Sequence, residues 1–129
     1  MGSQKSIHRV YDLIAAPAQL RFLSLEPLHG PVSLPLNESV DYANKVKDLI
    51  GWVIVGGESG NENGKYLYRP CEFSWITNIV HDCMLADVPV FVKQLGTHLA
   101  KQLKLQDRHG GNIDEWPASL QIREMPEGF

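Results

Sequence analysis

The chain has 129 residues, of which 43% are hydrophobic and 21% are charged, so it has the length and composition of a single globular domain spanning residues 1–129. Its formal net charge of −3 gives no basic excess to attract nucleic acid, and no apolar run reaches the roughly 20 residues of a membrane helix. The two cysteines, Cys71 and Cys83, are too few for a disulfide framework and predict reduced thiols in a cytoplasmic protein.

Helix and strand patterns alternate in the first half of the chain. Apolar residues at helical spacing predict a helix from Ile7 to Ile14, closed by Pro17. The run LRFLSL predicts a strand over Leu20–Leu25. Ser39 is a suitable N-cap for a second helix ending near Ile50, and the nearly continuous apolar run GWVIVG predicts a buried strand over Gly51–Gly56.

The second half repeats the alternation. Ser74 is a suitable N-cap for a third helix, whose apolar stripe ends before Pro89. The run PVFV predicts a strand over Pro89–Val92, and the segment Leu95–Leu105 predicts a fourth helix with Leu95, Leu99 and Leu103 on its apolar side.

The resulting order, αβαβαβα, predicts an α/β fold with a three-stranded parallel sheet and crossover helices. The repeat length suits a (β/α) barrel, but three strands are too few to close one. Residues 106–129 are expected to form an irregular tail packed on this domain, with Trp116 and Ile122 as its anchors.

Polar side chains follow each predicted strand. Glu26 follows the first strand, Glu58 the second, and Lys93 with Gln94 the third. Because the carboxyl ends of parallel strands meet at one edge, these groups are expected at one rim. They could bind a zwitterion, hold a metal or move protons there, or simply pair with one another at solvent-exposed strand ends. Arg69 and His29 are expected close to the same rim.

The loop Gly56-Gly57-Glu58-Ser59-Gly60 would let the backbone approach a ligand closely. It matches neither the dinucleotide fingerprint nor the phosphate-binding loop. Glu58 would repel a phosphate, so an uncharged or cationic ligand group fits this loop better.

Four segments carry a family resemblance that runs from about Ser3 to Pro126: RFLSLEPLHGPV, GWVIVGGESG, VPVFVKQLG and DRHGGNIDEWPASLQIREMP. The chain resembles the C-terminal half of the phage "gene product thirty-seven/sixty-eight" family of unknown function. That family is distantly similar to radical S-adenosylmethionine barrels such as spore photoproduct lyase. The resemblance implies that the chain corresponds to half of a (β/α) barrel.

Full-length members of that family carry an N-terminal half with a cysteine cluster resembling an iron–sulfur motif. This chain has no Cys-x-x-x-Cys-x-x-Cys, so it is not expected to assemble a cluster or to be catalytic alone. The residues that match family motif positions are candidate ligand-binding residues: Glu26, Gly56, Gly57, Glu58, Ser59, Arg69, Lys93 and Gln94. By analogy, Glu58 would contact S-adenosylmethionine; no metal site is predicted.

Two functions follow from the sequence. In the first, a phage- or prophage-type protein retains the ligand rim of a radical-type barrel and needs a separate N-terminal half. In the second, a small phage-derived protein inhibits a host defence protein by direct contact. In both, a partner, a second copy of the chain or rearranged helices are expected to cover the bare edges of the sheet. A truncated remnant without activity is a third possibility.

Overall fold

A computed structural model describes residues 1–16, 20–65 and 67–127. Its four α-helices are α1 (His8–Ala15), α2 (Val46–Leu49), α3 (Phe73–Ala86) and α4 (Thr97–Gln102). Its three strands are β1 (Phe22–Leu25), β2 (Trp52–Gly56) and β3 (Val90–Gln94). The three strands pair in parallel in the order β1-β2-β3, with helices between them. The predicted α/β class with an open three-stranded parallel sheet is confirmed.

The two faces of the sheet differ in burial. Alternate residues of β1 and β2, such as Leu23, Leu25 and Val53, are buried with the aliphatic residues of β3, and α3 packs against β2 and β3. The apolar stripe of α3 that the sequence predicted is buried here. The opposite face carries Phe22 and Trp52, and Phe22 is 48% exposed. The core therefore lies on one side of the sheet, as period-2 alternation requires.

The two edges of the sheet also differ. Residues 122–124 run antiparallel to the outer edge of β3, where Val92 N donates to Ile122 O (3.0 Å) and Glu124 N donates to Val90 O (2.9 Å). Trp116, at 3% exposed, anchors this segment in the core, and Ile122 is partly buried against it. Among the described residues, none pairs with β1 on the side away from β2.

Several predicted element boundaries were wrong. Ser39 does not begin a helix: residues 39–45 form bends and turns, and the helix is reduced to Val46–Leu49. α3 starts at Phe73 after Glu72, so Ser74 is not its N-cap. β1 begins at Phe22, not at Leu20. The expected end of the first helix at Pro17 lies outside the described residues.

The third strand and the fourth helix also differ from the prediction. β3 continues to Gln94, so Lys93 and Gln94 belong to the strand and not to the loop after it. α4 is shorter than residues 95–105, because Leu95 is buried in the turn before it and Leu103 lies beyond its last residue. Leu103 is also exposed, which contradicts its expected place on the apolar side.

The C-terminal segment from Gln106 contains two short 3-10 turns, Ile113–Glu115 and Ala118–Leu120, and is otherwise irregular. Gly128 and Phe129 at its end lie outside the described residues. Nowhere in the described part of the chain is a helix long and apolar enough to cross a membrane.

Candidate functional site

Glu26 and Lys93 form an ion pair across the middle strand of the sheet. Glu26 directly follows β1 and Lys93 lies near the end of β3, with 3.5 Å between Oε2 and Nζ. The strand between them ends at Gly56, where an added Cβ would lie 3.5 Å from the Glu26 Cδ and 3.1 Å from Gln94 O. Because Gly56 has no side chain, the Glu26 carboxylate can lie over β2 and reach the lysine.

A register shift brings Lys93 and Gln94 to this rim. Val55 pairs with Val92 and Gly56 pairs with Gln94, which leaves Lys93 as an extra residue on β3. Bulges of this kind re-aim side chains next to sites. The Gln94 amide then turns back and its Nε2 donates to Gly57 O at 3.0 Å.

Glu58 forms a second cluster with Arg69 and His29. Its Oε1 accepts from the backbone N of Arg69 (2.7 Å) and from Nε (3.2 Å), and its Oε2 accepts from the Arg69 Nη2 (3.1 Å). The His29 Nε2 lies 3.5 Å from the same Oε2. The sequence expectation that Arg69 leans back over the rim agrees with this geometry.

The Glu58 carboxyl is only 16% exposed, whereas the Arg69 side chain is 62% exposed. Burial by itself raises the pKa of Glu58, but the hydrogen bonds from the Arg69 side chain and backbone, with smaller help from its charge and from His29, lower the pKa below its ordinary value. Glu58 therefore stays ionised, and its carboxylate links the loop after β2 to the backbone and side chain of Arg69.

Glu58→Gln is expected to lower the free energy of unfolding by about 1 kcal/mol at neutral pH, a value reduced because Arg69 is largely solvent-exposed. Because the folded-state pKa of Glu58 is lowered, its stabilising effect is complete above the unfolded-state pKa and is lost as the pH falls through the folded-state pKa. Urea unfolding across the acid range should show the two curves converging at low pH. Asp12→Asn on exposed α1 is the control; an equal loss in both variants would contradict the role of this cluster.

At Gly57 the glycine loop packs against backbone of the turn after β3, with no room for a ligand. An added Cβ at Gly57 would lie 2.2 Å from Leu95 O, and one at Gly96 (φ +88°) would lie 2.8 Å from Gly57 C. The loop after β2 and the turn after β3 therefore touch backbone to backbone. Thr97 N donates to Glu58 O (3.0 Å) and its Oγ1 accepts from Gly60 N (3.0 Å), which fixes the loop further.

Thr97 and His109 also contribute to the contacts around the loop, and neither residue was identified from the sequence as part of the site. Thr97 is buried, and its Oγ1 lies 3.5 Å from His109 Nδ1. The only available signal was a threonine directly after Gly96 at the start of a short helix. Ser59 Oγ, in contrast, is buried without a hydrogen-bond partner.

The eight candidate residues thus lie at one end of the sheet, in two ion-pair clusters. Glu26, Lys93 and Gln94 stand over Gly56, and Glu58 with Arg69 stands beside the Gly57–Ser59 turn. In this structure each of the two carboxylates forms an ion pair with a cation, and the role of these residues in ligand binding stays a prediction.

The residues present do not fit an iron–sulfur cluster with bound S-adenosylmethionine. A cluster needs several thiolates close together. The two cysteines of the chain are both buried, and burial raises the pKa of Cys71 and of Cys83 to about 12. The face of Gly57 that would receive a ligand is filled by Leu95 and Gly96. Within the described ranges, no group of three or more His, Cys, Asp or Glu could hold a metal ion.

Fold and site together define an α/β protein with an open parallel sheet, α3 packed on one face and a charge-paired rim at the carboxyl ends of its strands. The chain belongs to the family described as "protein of unknown function (DUF5131)", which matches residues 1–121. Neither the curated proteins nor the solved structures yielded a match. The family description names no activity, so the phage origin and the similarity to radical S-adenosylmethionine barrels stay predictions.

Proposed function

We propose that this protein acts as one half of a (β/α) barrel-like assembly, whose sheet a second protein segment extends at β1. The supporting observation is the difference between the two sheet edges. The outer edge of β3 is paired with residues 122–124, while β1 has no such partner among the described residues. An unpaired strand edge presents a row of amides and carbonyls to a pairing strand. The contact from the Met1 amino group to Ser24 O (3.2 Å) is one that such a strand can replace.

The partly exposed aromatic face of the sheet, opposite α3, favours the same function. Phe22 and Trp52 have ring centroids 6.0 Å apart, and Trp52 and Phe91 are also 6.0 Å apart with their rings edge-on. In (β/α) barrels the helices cover the outside and large side chains fill the inside. An aromatic row on the face opposite α3 is therefore the surface that strands from another half would bury.

In such an assembly the charged residues at the carboxyl ends of the strands would lie at the ligand-binding end of the barrel. Ligand-contacting residues of barrel enzymes come from the carboxyl ends of several strands, which is where Glu26 and Lys93 lie. The proposed partner half would supply any redox centre, since this chain lacks the thiols for one. The proposed role of this half is to complete the rim of an assembly of the radical S-adenosylmethionine type, in which the partner half would hold the cluster and its cofactor, and the chain alone would be inactive.

Co-expression with the cysteine-containing N-terminal segment of a full-length relative tests this proposal. We expect a one-to-one complex in sedimentation velocity. Phe22→Glu should abolish the complex, because it places a charge in the buried aromatic row. Met84→Glu is the matched control: Met84 is also exposed but lies on α3, on the helical side of the sheet.

The outcomes separate the proposal from its rivals. Failure to form the complex, or a complex that Phe22→Glu leaves intact, would contradict pairing at β1. If this chain alone forms a dimer through the β1 edge, the segment that extends the sheet is a second copy of the chain and not a separate N-terminal half. Inhibition of a host defence protein by direct contact would use the same face, and no feature of the described residues favours it over the half-barrel.

A further inference from the structure

A cavity of about 300 Å³ lies beside the rim and shares none of its ion pairs. It is formed by the loop after β2, with Gly60 and Glu62, and by α4 and the turn after it, with Ala100, Lys101, Lys104 and Arg108. Crevices between loops that follow adjacent parallel strands are where open α/β sheets bind their ligands. The volume is at the lower end of the roughly 300–1,000 Å³ range of small-molecule sites.

The charges around this cavity do not balance. Lys101 is paired with Glu62, whose Oε1 also accepts from the Tyr68 hydroxyl at 3.1 Å. The hydrogen bond from Lys101, aided by that from Tyr68, lowers the pKa of Glu62, so this carboxylate is already matched to a cation. Lys104 and Arg108 also line the cavity; the charge of Arg108 adds a smaller contribution to the lowered Glu62 pKa, but no carboxylate of the described residues lies within ion-pair distance of either cation. Two positive charges are left over.

Lys104 occupies a backbone position that favours glycine. Its φ is +55°, and it closes α4 with its N donating to Lys101 O (3.1 Å) while Leu105 N donates to Ala100 O (2.8 Å). Glycine is the usual residue in such a left-handed helix end, because a Cβ is strained there. A strained non-glycine residue at the mouth of a cavity points to a use for its side chain.

From the cavity, the unbalanced charge and the strained lysine, we infer that this site binds a small phosphate monoester. The dianionic phosphate lies between Lys104 and Arg108, where a guanidinium fork and an ammonium group match its oxygens. Ala100 and Leu105 line the remainder of the cavity and leave an apolar wall for the organic part of the ligand. Glu58 of the glycine loop, whose charge would repel a phosphate, does not line this cavity and forms an ion pair with Arg69.

The test is calorimetric titration of the full chain with adenosine monophosphate, glycerol phosphate, inorganic phosphate and adenosine. We expect at least one ester to bind and adenosine not to bind. Arg108→Gln should weaken ester binding by at least roughly tenfold, the effect of losing a charge-assisted pair of hydrogen bonds. Lys5→Gln, an exposed lysine in the N-terminal segment, makes the same charge change as a control and should leave binding unchanged.

Lys104→Gly gives a second readout, because it removes the strain together with the charge. It should raise Tm by roughly 3–5 °C and still weaken ester binding severalfold. Asp87→Gly is the matched control: Asp87 has φ +58° at the end of α3, so the change should also raise Tm but leave binding unaltered.

Several results would overturn the inference. The first is that neither ester binds in the titration. The second is that Arg108→Gln leaves the affinity for the esters unchanged, and the third is that adenosine and its monophosphate bind equally well. Binding of inorganic phosphate alone would overturn the ester as the ligand. Binding of a single-stranded oligonucleotide without binding of either ester would assign the two cations to nucleic acid instead. The half-barrel proposal does not depend on any of these results.

Discussion

Gly57→Ala is expected to destabilise the protein by about 3 kcal/mol, more than any change to the charged groups beside it. The new Cβ would lie 2.2 Å from Leu95 O and 2.9 Å from the carbonyl carbon of Leu95. Both are backbone atoms, so no flexible side chain can move aside. Gly57 N also donates to Gln94 O at 3.1 Å, which holds the two segments together. The methyl group can be accommodated only by separating the loop after β2 from the turn after β3.

Two other glycines provide matched controls in urea unfolding. Gly30→Ala has nothing within 4 Å of the new Cβ and should change the free energy of unfolding by less than about 0.5 kcal/mol. Gly64→Ala also has open space around it but has φ +91°, so it should cost about 1 kcal/mol through backbone strain alone. A Gly57→Ala loss no larger than that of Gly64→Ala would contradict the close packing of the two segments.

This packing explains the Gly-Gly-Glu-Ser-Gly segment differently from the sequence-based interpretation of it as a ligand-binding loop. The sequence correctly indicates that the backbone must be approached closely there, because glycines cluster where a side chain does not fit. It does not show what makes the approach. The neighbour is the Leu95–Gly96 turn, almost forty positions further along the chain, and not a ligand. A local motif cannot distinguish these cases, because both require the same missing Cβ.

The strands were predictable and one helix was not, for separate physical reasons. The strands are short apolar runs bounded by Gly or Pro, and a strand buried in a parallel sheet demands that pattern. The segment before α2 has helical apolar spacing, but Asp41 Oδ1 accepts from both Ala43 N and Asn44 N at 2.9 Å. Aspartate side chains compete with the helix for backbone amides in this way. The turn prevails and Ala43 remains exposed.

The rim could be predicted as a place but not as a set of contacts. Parallel strands bring their carboxyl ends together, so polar residues after each strand share one edge whatever their identity. Which cation reaches which carboxylate depends on detail that spacing does not carry. Lys93 reaches Glu26 only because a register shift makes it an extra residue on β3 and because Gly56 leaves the space between them open.

The covered edge of β3 could not be predicted either. Among the described residues, the segment that pairs with this edge is residues 122–124, which is too short to show a strand pattern. The segment is held by Arg123, whose guanidinium lies 5.2 Å from the centre of the Phe91 ring and 5.1 Å from that of Trp116. Its Nε donates to Val92 O (3.0 Å) and its Nη2 to Lys93 O (2.8 Å). One side chain therefore joins the tail to the backbone of the strand that it covers.

Arg123→Ala is accordingly expected to lower the free energy of unfolding by about 2 kcal/mol, through the loss of three hydrogen bonds from a charged donor, the longest to Gly111 O, and two cation–π contacts. Once the tail loosens, the outer edge of β3 becomes free for another chain. We therefore expect the variant to self-associate more strongly than the wild-type protein as its concentration rises in sedimentation velocity.

Two further variants separate the guanidinium geometry from its charge. Arg123→Lys keeps the charge but loses the flat fork, so it should recover less than half of the lost stability. Arg9→Ala, on the exposed side of α1, should leave both stability and association unchanged. If Arg123→Ala unfolds more easily but stays monomeric, residues 122–124 stabilise the core but are not needed to prevent association through the outer edge of β3. The unpaired edge of β1 in the wild-type chain would then be no evidence for a partner, because an equally bare β3 attracts none.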